Sequence, residues 1–357
     1  MSIHHTLQPL RPEPLISDID VVAYERGTDP QYAIEALEEG YQLLVLDDYS
    51  NGLHLMSELG KHLKQNYPGT SYQEQQNYRN AFRKLSHRIL AEISHNSLGL
   101  KKAPQIGWLK ILYPDYEDFL LPFPQIQGLN SAWQWYIKGI YIPVIGKKIQ
   151  AWYGTYFPTR FEHLELFDEY LQTYRGEKKT AIDIGIGSGI LSLQMLKYGF
   201  GKIFGSDMHP NAIIGLQEYL EKEKLNADIE LFYGDLFCDM QEQSDFIVFN
   251  PPWLPIKRRI DGIDKAMYYQ DDLFPRFFEQ AAQYLNDEGR LVLLFSNLAI
   301  ITGESNQHPI EEELANNRRF KKETLLFKKV NKASKKTKRK LQRRQDEKVE
   351  LWVLRKL

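Results

Sequence analysis

The residues with the clearest capacity for chemistry are four consecutive ones in the run FIVFNPPW: Asn250, Pro251, Pro252 and Trp253. The side-chain oxygen of Asn250 and the main-chain carbonyl of Pro251 can each accept one N–H from a planar amino or amide group. A nitrogen held in this way has its delocalised lone pair directed toward an electrophile, and the prolines stiffen the loop. Trp253 adds a flat apolar surface for stacking. We therefore predict that these four residues are catalytic and clamp a planar nitrogen-bearing group.

A glycine-rich turn stands earlier in the chain, in the run AIDIGIGSGI. It follows a predicted strand that ends at Ile184 and precedes a predicted helix that begins at Leu191. Glycines let the chain turn tightly and let a ligand approach the backbone where a Cβ would clash. The same spacing also occurs in dinucleotide-binding proteins and in plain tight turns. The candidate ligand-binding residues of the turn are Asp183, Gly185, Gly187 and Gly189.

Two further carboxylates follow the next two predicted strands. Asp207, followed by Met208, can accept hydrogen bonds from both hydroxyls of a ribose, which suits NAD as well as S-adenosylmethionine. Its alternative role is a helix N-cap ahead of Pro210. Asp235, followed by Leu236, can meet the exocyclic amine of an adenine, and its alternative is a simple loop aspartate. Several such residues at successive strand ends favour one ligand site, because open α/β sheets bind ligands outside the carboxyl ends of their strands.

The elements that position these residues alternate between strand and helix from Thr180 onward. This alternation predicts an α/β fold with a parallel, Rossmann-like sheet covered by helices on both faces. Two later apolar runs, with no helical pattern between them, predict a terminal antiparallel pair that completes seven strands. The predicted strands are Thr180 to Ile184, Lys202 to Ser206, Ile229 to Tyr233, Asp245 to Phe249, Arg290 to Phe295, Thr324 to Phe327 and Val349 to Leu354.

The rest of the chain predicts three segments. Apolar residues recur at helical spacing in the first part, as in Tyr78, Phe82, Leu85, Ile89 and Ile93, so residues 1–130 are predicted to form a mainly helical N-terminal accessory domain. Residues 131–158 are predicted to form a β-hairpin linker, with its turn near residues 146–148. Residues 159–357 are then the α/β domain, with a basic insertion at 328–344.

Charge is distributed unevenly along the 357 residues, whose formal net charge is -2. The segment from Lys328 to Arg344 carries ten Lys or Arg and no Asp or Glu, and without it the remainder carries -12. A basic segment on an acidic body often contacts an anionic partner such as nucleic acid, and its alternative is a solvated surface loop. The cations that would neutralise phosphates include Lys335, Lys336, Lys338, Arg339, Lys340, Arg343 and Arg344.

Several other classes of function are disfavoured. The single cysteine, Cys238, cannot form an internal disulfide or a thiolate zinc site alone, and it precedes the fourth predicted strand, so it is not placed as a nucleophile. The histidines show no metal-ligand spacing, and His163 is interpreted as a histidine on a helix face, with a place at the border of the cofactor pocket as its alternative. No apolar stretch predicts a membrane span, and the N-terminus lacks the apolar core of a signal peptide, so we expect a cytoplasmic protein without a metal.

In order and spacing, DIGIGSG, Asp207, GDLF and NPPW resemble a class I S-adenosylmethionine-dependent methyltransferase of the small-domain, NPPY-bearing type. The likeness covers roughly Tyr156 to Leu357. This family includes enzymes that act on exocyclic nitrogens of adenine or guanine and the glutamine methyltransferases of release factors and ribosomal protein. The run FPTRFEHLELFDEYL partly resembles the lead-in of the glutamine methyltransferases, whose pattern is Pro-Arg-Pro-x-Thr-Glu. Trp253 departs from the commoner Tyr or Phe.

The resemblance implies an N-methyltransferase that uses S-adenosylmethionine. A base in RNA is the favoured target, bound in part through Lys328 to Arg344. The alternative is a glutamine side chain of a translation factor or ribosomal protein, and a remoter one is a non-catalytic binding protein of the same fold. Under this reading the cofactor contacts are Asp183, Gly185, Gly187, Gly189, Asp207, Met208, Asp235, Leu236 and Asn250.

Overall fold

The computed structural model describes residues 7–16, 19–69, 72–158, 160–225, 228–256, 268–330 and 346–357. The chain divides into two compact units. One is Arg11–Ile137, and the other combines Met1–Leu10 with Lys138–Leu357. The predicted boundaries at residues 130 and 158 remain a prediction. No helix among the described residues has both the length and the apolarity that a membrane crossing requires.

The N-terminal unit is built on a five-stranded mixed sheet rather than on helices alone. The order is β1-β2-β3-β4, with β5 also paired to β3; β1, β2 and β3 run parallel, and β4 and β5 are antiparallel to β3. The strands are β1 (Val21–Tyr24), β2 (Gln42–Val45), β3 (Ile89–Ser94), β4 (Ser97–Leu98) and β5 (Asp118–Pro122). The helices are α1 (Pro30–Glu39), α2 (Tyr49–Asn66), α3 (Tyr72–Ser86), α4 (Trp108–Leu112) and α5 (Phe123–Lys138).

The prediction of a mainly helical accessory domain is therefore corrected. The apolar run that continued the helical spacing, at Ile89 and Ile93, belongs to strand β3 and not to a helix. Ile89, Leu90, Ala91 and Ile93 are all buried, as expected of a strand covered on both faces. Ile89 and Ile93 satisfy the helical spacing by coincidence, because a strand buried on both faces carries apolar residues at adjacent positions; Glu92 is its exposed exception.

The second unit carries a hairpin and a seven-stranded sheet. The hairpin pairs β6 (Ile140–Ile142) with β7 (Lys147–Ile149) in antiparallel fashion. Its predicted turn near residues 146–148 is corrected, because the turn is formed by residues 143–146 and Lys147 and Lys148 already belong to β7. Residues 131–138 of the predicted linker belong to helix α5. The sheet strands are β8 (Thr180–Ile184), β9 (Lys202–Asp207), β10 (Ile229–Tyr233), β11 (Ser244–Phe249), β14 (Leu285–Ser296), β15 (Phe320–Lys329) and β16 (Lys348–Lys356). The remaining elements are α6 (Glu162–Thr173), α7 (Ile190–Lys197), α8 (Pro210–Glu223), β12 (Leu254–Pro255), β13 (Tyr268–Tyr269), α9 (Leu273–Tyr284), α10 (Leu298–Ile301) and α11 (Pro309–Asn316).

The strand order is β10-β9-β8-β11-β14-β16-β15. The first five strands are parallel, and β16 is antiparallel to both of its neighbours, which confirms the predicted parallel sheet and terminal antiparallel pair. From β8 the chain first builds outward through β9 and β10, and then returns to build the other way through β11 and β14. The two directions diverge between β8 and β11, and this divergence is where open α/β sheets bind ligands.

Helices cover both faces of this sheet, and two apolar cores result. One core contains Leu164 and Phe167 of α6 together with residues of α7 and α8. The other contains Phe274, Phe277 and Phe278 of α9. The central strands are therefore buried on both sides, and the residues that follow their last positions are fixed at one edge of the sheet.

Candidate active site

The glycine turn and the Asn-Pro-Pro-Trp run lie side by side at the divergence point of the sheet. Ile184, the last residue of β8, is paired with Phe249, the last residue of β11. Gly185 and Asn250 follow these partners directly, so they emerge next to each other at the carboxyl edge. A Cβ built on Gly185 would lie 3.5 Å from the Phe249 ring. Residues 65 positions apart in sequence are thus neighbours in the site.

Two glycines of the turn have different physical reasons to be glycine. Gly187 has a φ of +53°, and a Cβ there would make only ordinary contacts with backbone oxygens, at 3.8 Å from Gly185 and 3.9 Å from Tyr156. Gly189, at the start of α7, has a φ of +76°, and a Cβ there would lie 2.6 Å from Leu216 of α8. The first glycine is therefore required by its left-handed backbone, and the second also permits close helix packing.

Asp183 is buried beneath the turn. Its Oδ2 accepts a hydrogen bond of 2.7 Å from the Ser192 hydroxyl. Its Oδ1 is buried and has no hydrogen-bond partner among the described residues. Burial raises the pKa of Asp183 to about 7. An uncompensated carboxylate oxygen of this kind is suited to a donor supplied by a ligand.

Asp207 connects the turn to the next strand. Its Oδ2 accepts from the Gly187 N–H at 2.9 Å, and its Oδ1 accepts from the His209 N–H at 2.8 Å. Burial raises the pKa of Asp207, and the two backbone donors oppose that effect. Met208, the next residue, is 71% exposed. Each carboxylate oxygen retains a second lone pair for a ligand hydroxyl.

Asp235 lies one strand farther along the same edge. Tyr233 of β10 is paired with Asp207, and the Gly234 N–H donates to the Asp207 carbonyl at 3.1 Å. The Asp235 carboxylate accepts from the guanidinium of Arg276 on α9, a partner that the sequence did not reveal. Leu236 is buried in the core, and its carbonyl accepts from the Ser206 hydroxyl.

The Asn-Pro-Pro-Trp run folds back on itself. The indole N–H of Trp253 donates to Asn250 Oδ1 at 3.2 Å and to the Leu294 carbonyl of β14 at 3.4 Å. His163 of α6 packs edge-on against Trp253, with ring centroids 5.8 Å apart and planes at 88°. Burial lowers the pKa of His163 to about 4, so the imidazole is neutral at pH 7. His163 lies on helix α6, as the sequence predicted, and its contact with Trp253 was not anticipated, although its place among apolar residues of α6 was a signal.

The described residues form neither a metal site nor an activated cysteine nucleophile. No group of three or more His, Cys, Asp or Glu side chains in the described ranges is arranged to hold a metal ion. Cys238 is partly buried, and burial raises the pKa of its thiol, which disfavours the nucleophilic thiolate. The basic residues from 331 to 344 lie outside the described residues.

Comparison with known proteins identifies the domain that this sheet and edge define. Residues 164–322 match the family model described as "Methyltransferase small domain". This part of the second unit is therefore similar to the methyltransferase small domain, a family that uses S-adenosylmethionine.

Curated relatives divide between protein and RNA targets in their names. A Methanocaldococcus jannaschii protein named as a protein N5-glutamine methyltransferase is 33% identical over 136 residues, which are 36% of this chain and 66% of that protein. A Dictyoglomus thermophilum ribosomal protein L11 methyltransferase is 33% identical over 178 residues, 46% of this chain and 55% of the relative. A ribosomal RNA small subunit methyltransferase C from Alcanivorax borkumensis is 29% identical over 119 residues, 33% of each chain. The chain spans less than two thirds of the length of each of these relatives.

The residues present fit the cofactor of this family. The glycine turn, with Gly185, Gly187 and Gly189 all at positive φ, would bring backbone without side chains against a ligand. The free Asp183 Oδ1 would accept from a charged amino group, and Asp207 stands at the strand end where ribose hydroxyls are held. Arg276 occupies one oxygen of Asp235, and the remaining acceptor positions of that carboxylate stay available.

Proposed function

We propose that this chain is an S-adenosylmethionine-dependent N-methyltransferase whose target is a planar exocyclic amino nitrogen of a base in RNA. The observation that carries the proposal is the pairing of Ile184 with Phe249, which sets Asn250 beside the glycine turn. A methyl donor held at the turn and an amine held at Asn250 would then share one edge of the sheet. Proximity of this kind converts a bimolecular reaction into one between pre-oriented groups.

The proposed cofactor contacts are arranged along three strand ends. Asp183, Gly185 and Gly187 would hold the amino acid part of the cofactor, and Gly189 would support the turn from beneath. Asp207 would accept from the ribose hydroxyls, with Met208 beside it as an exposed apolar surface. Asp235 and the backbone near Leu236 would meet the adenine. When bound, the cofactor supplies an electrophilic methyl group on a sulfonium.

The chain's own part in the transfer is orientation of the target. Asn250 Oδ1 and the Pro251 carbonyl would each accept one N–H of the amino group, so the nitrogen lone pair is directed toward the cofactor side. Trp253 would border the target ring. A strong general base is not required, because the proton can leave after the methyl group has been transferred. The neutral His163 packs behind Trp253 and does not carry charge at pH 7.

The basic segment favours RNA as the substrate class. Its described flanks lie at the same edge as Asn250, because Ser296 at the end of β14 is paired with Val349 near the start of β16. Asn297 binds the Asp346 carbonyl at 3.1 Å and the Lys348 N–H at 2.8 Å, which ties the returning flank to that edge. The Val330 N–H donates to the Glu347 carbonyl at 3.1 Å and joins the two flanks. A positively charged segment whose two flanks lie at this edge of the sheet would meet phosphates of a bound RNA.

A second candidate is a protein glutamine. The relative named for that activity, at 33% identity, supports it. A carboxamide NH2 presents the same two donors to Asn250 and Pro251 as a base amine does. The clamp alone therefore does not separate the two targets, and the basic segment provides the reason to prefer RNA.

The deciding experiment supplies the purified chain with S-adenosylmethionine labelled in its methyl group and extract from a strain that lacks this gene. RNA and protein fractions are separated before and after the reaction, and the Asn250→Ala variant is the control. Label in RNA that depends on Asn250 supports the proposal. Label in protein alone replaces it with the glutamine candidate, and label in neither fraction contradicts both.

A further inference from the structure

The acceptor oxygen of the proposed clamp has an internal donor. Trp253 Nε1 lies 3.2 Å from Asn250 Oδ1 and 3.4 Å from the Leu294 carbonyl. We propose that Trp253 is a positioning residue, whose indole N–H selects the orientation of the Asn250 carboxamide that presents oxygen to the target amine. This role rests on the proposed function and adds to the stacking that an aromatic residue offers at this position.

A carboxamide has two orientations that differ by exchange of its oxygen and its NH2 group. Only one orientation offers its oxygen as an acceptor to the target amine. In the other, the Asn250 NH2 group would face the N–H donors of the target. The indole N–H is a donor without an acceptor function, so it stabilises the orientation with Oδ1 toward it and opposes the flipped one. Oδ1 has two lone pairs, and one remains for the target after Trp253 has taken the other.

The donor itself is held in place by its surroundings. Its N–H is shared with the carbonyl of Leu294, a residue paired with Leu351 inside the sheet. His163 packs perpendicular to the indole, and the Trp253 ring lies against both apolar cores. A phenylalanine here would keep an aromatic surface and would place no donor at this point. The tryptophan thus supplies a function that a purely apolar ring lacks.

The hydrogen bond is tested directly by ¹H–¹⁵N NMR of the indole N–H groups in the full chain. Trp253→Phe identifies the Trp253 peak by its loss. Asn250→Ala should move this peak upfield, because the N–H loses an acceptor. Trp152, which donates to Glu218 at 2.7 Å, and Trp352, which donates to Glu350 at 2.8 Å, are internal controls whose peaks should stay in place. An unmoved Trp253 peak would overturn the proposal.

The positioning role is tested by a double-mutant comparison on the labelled substrate fraction. Trp253→Phe should lower kcat by about 3- to 10-fold, the worth of one hydrogen bond, with the KM for cofactor unchanged. β-(3-Benzothienyl)alanine at position 253 keeps the bicyclic shape, replaces the N–H by sulfur, and should show the same loss. In an N250D background both acceptor atoms are oxygens, so Trp253→Phe should lower kcat by less than about 2-fold.

The outcomes separate this proposal from the proposed function. An equal loss in the Asn250 and N250D backgrounds means that Trp253 acts only by packing, and the positioning role is then wrong. Full activity of the benzothienyl variant would likewise show that the indole N–H is not needed and that the positioning role is wrong. If the unaltered chain methylates nothing, the proposed function fails, and the indole peak alone then decides whether Trp253 holds Asn250.

Discussion

Three aspartates of the candidate site show how one residue type acquires different chemistry from its surroundings. Asp183 is buried with one oxygen free of partners among the described residues, Asp207 accepts from two backbone N–H groups, and Asp235 pairs with Arg276 near the surface. From the sequence, all three aspartates were predicted to lie at the ends of strands. The sequence did not predict the raised pKa of Asp183 and Asp207 or the hydrogen-bond partners of the three side chains, because both depend on burial and on residues from other elements.

The raised pKa of Asp183 makes stability depend on pH. The unfolded chain releases this proton near pH 4, whereas the folded chain retains it until about pH 7, so the free energy of unfolding falls as pH rises through that window. Relative to Asp183→Asn, the unaltered protein should lose about 2–3 kcal/mol between pH 5 and pH 8. Urea unfolding of both proteins across this range measures the difference. Parallel pH profiles would contradict the prediction.

Asn250 and Asp207 should separate transfer from cofactor binding. Asn250→Ala removes a clamp acceptor, so methyl transfer should fall by about 100-fold while the calorimetric affinity for S-adenosylmethionine is retained.

Asp207→Ala removes the proposed ribose acceptor and the partner of the Gly187 N–H, so the affinity itself should fall strongly. Equal cofactor affinity in Asp207→Ala and the unaltered protein would remove the ribose assignment.

At the scale of elements, the sheet of the second unit could be predicted because its strands are continuous apolar runs separated by turns and helices. The sheet of the N-terminal unit could not, since β3 satisfies a helical spacing and β4 has two residues. Asn250, Pro251, Pro252 and Trp253 stay a prediction as the clamp, and the Trp253 to Asn250 hydrogen bond was not anticipated from the sequence. Its existence depends on side-chain rotamers and on Leu294, which is 41 residues away from Trp253.

Glycines stand at both ends of α7, and only one of them is required by packing. Gly189→Ala forces a Cβ toward Leu216 in addition to a left-handed backbone, whereas Gly199→Ala, at a φ of +84°, meets no atom within 4 Å. Gly199→Ala should cost about 1–2 kcal/mol of unfolding free energy. Gly189→Ala should cost a further 1–3 kcal/mol, roughly the penalty of overpacking. Denaturant unfolding compares them, and equal losses would mean that α7 and α8 adjust without strain.

At the scale of the whole molecule, the candidate site is contained in the unit that includes Lys138–Leu357, as far as the described residues show. Residues 7–10 also belong to this unit. The Leu10 N–H donates to Asn211 Oδ1 at 2.8 Å, and Asn211 Nδ2 donates to the Leu10 carbonyl at 2.7 Å. Asn211 follows His209 by two residues. A contact between residues 201 positions apart leaves no trace in the local sequence pattern, so it could not be predicted from the sequence.

The uneven charge of the whole chain leads to a test of the RNA interaction. Ten cations between Lys328 and Arg344 stand against a charge of -12 on the remainder, so the body of the protein repels phosphates and the segment must supply the attraction. Changing Lys335, Lys336, Lys338 and Arg339 to Gln should reduce the slope of log affinity against log salt by up to about 3, at roughly 0.7 per phosphate contact on single strands.

Lys101→Gln with Lys102→Gln, in the N-terminal unit, is the matched control, and it should leave the slope unchanged. Fluorescence anisotropy with a labelled RNA, measured between low and moderate salt, gives the slope for each protein. Counterion release depends on the number of phosphates neutralised and not on base identity, so the effect should persist across RNA sequences. Equal slopes for the segment variant and the unaltered chain would leave these residues as a solvated surface and shift the preference toward a protein glutamine.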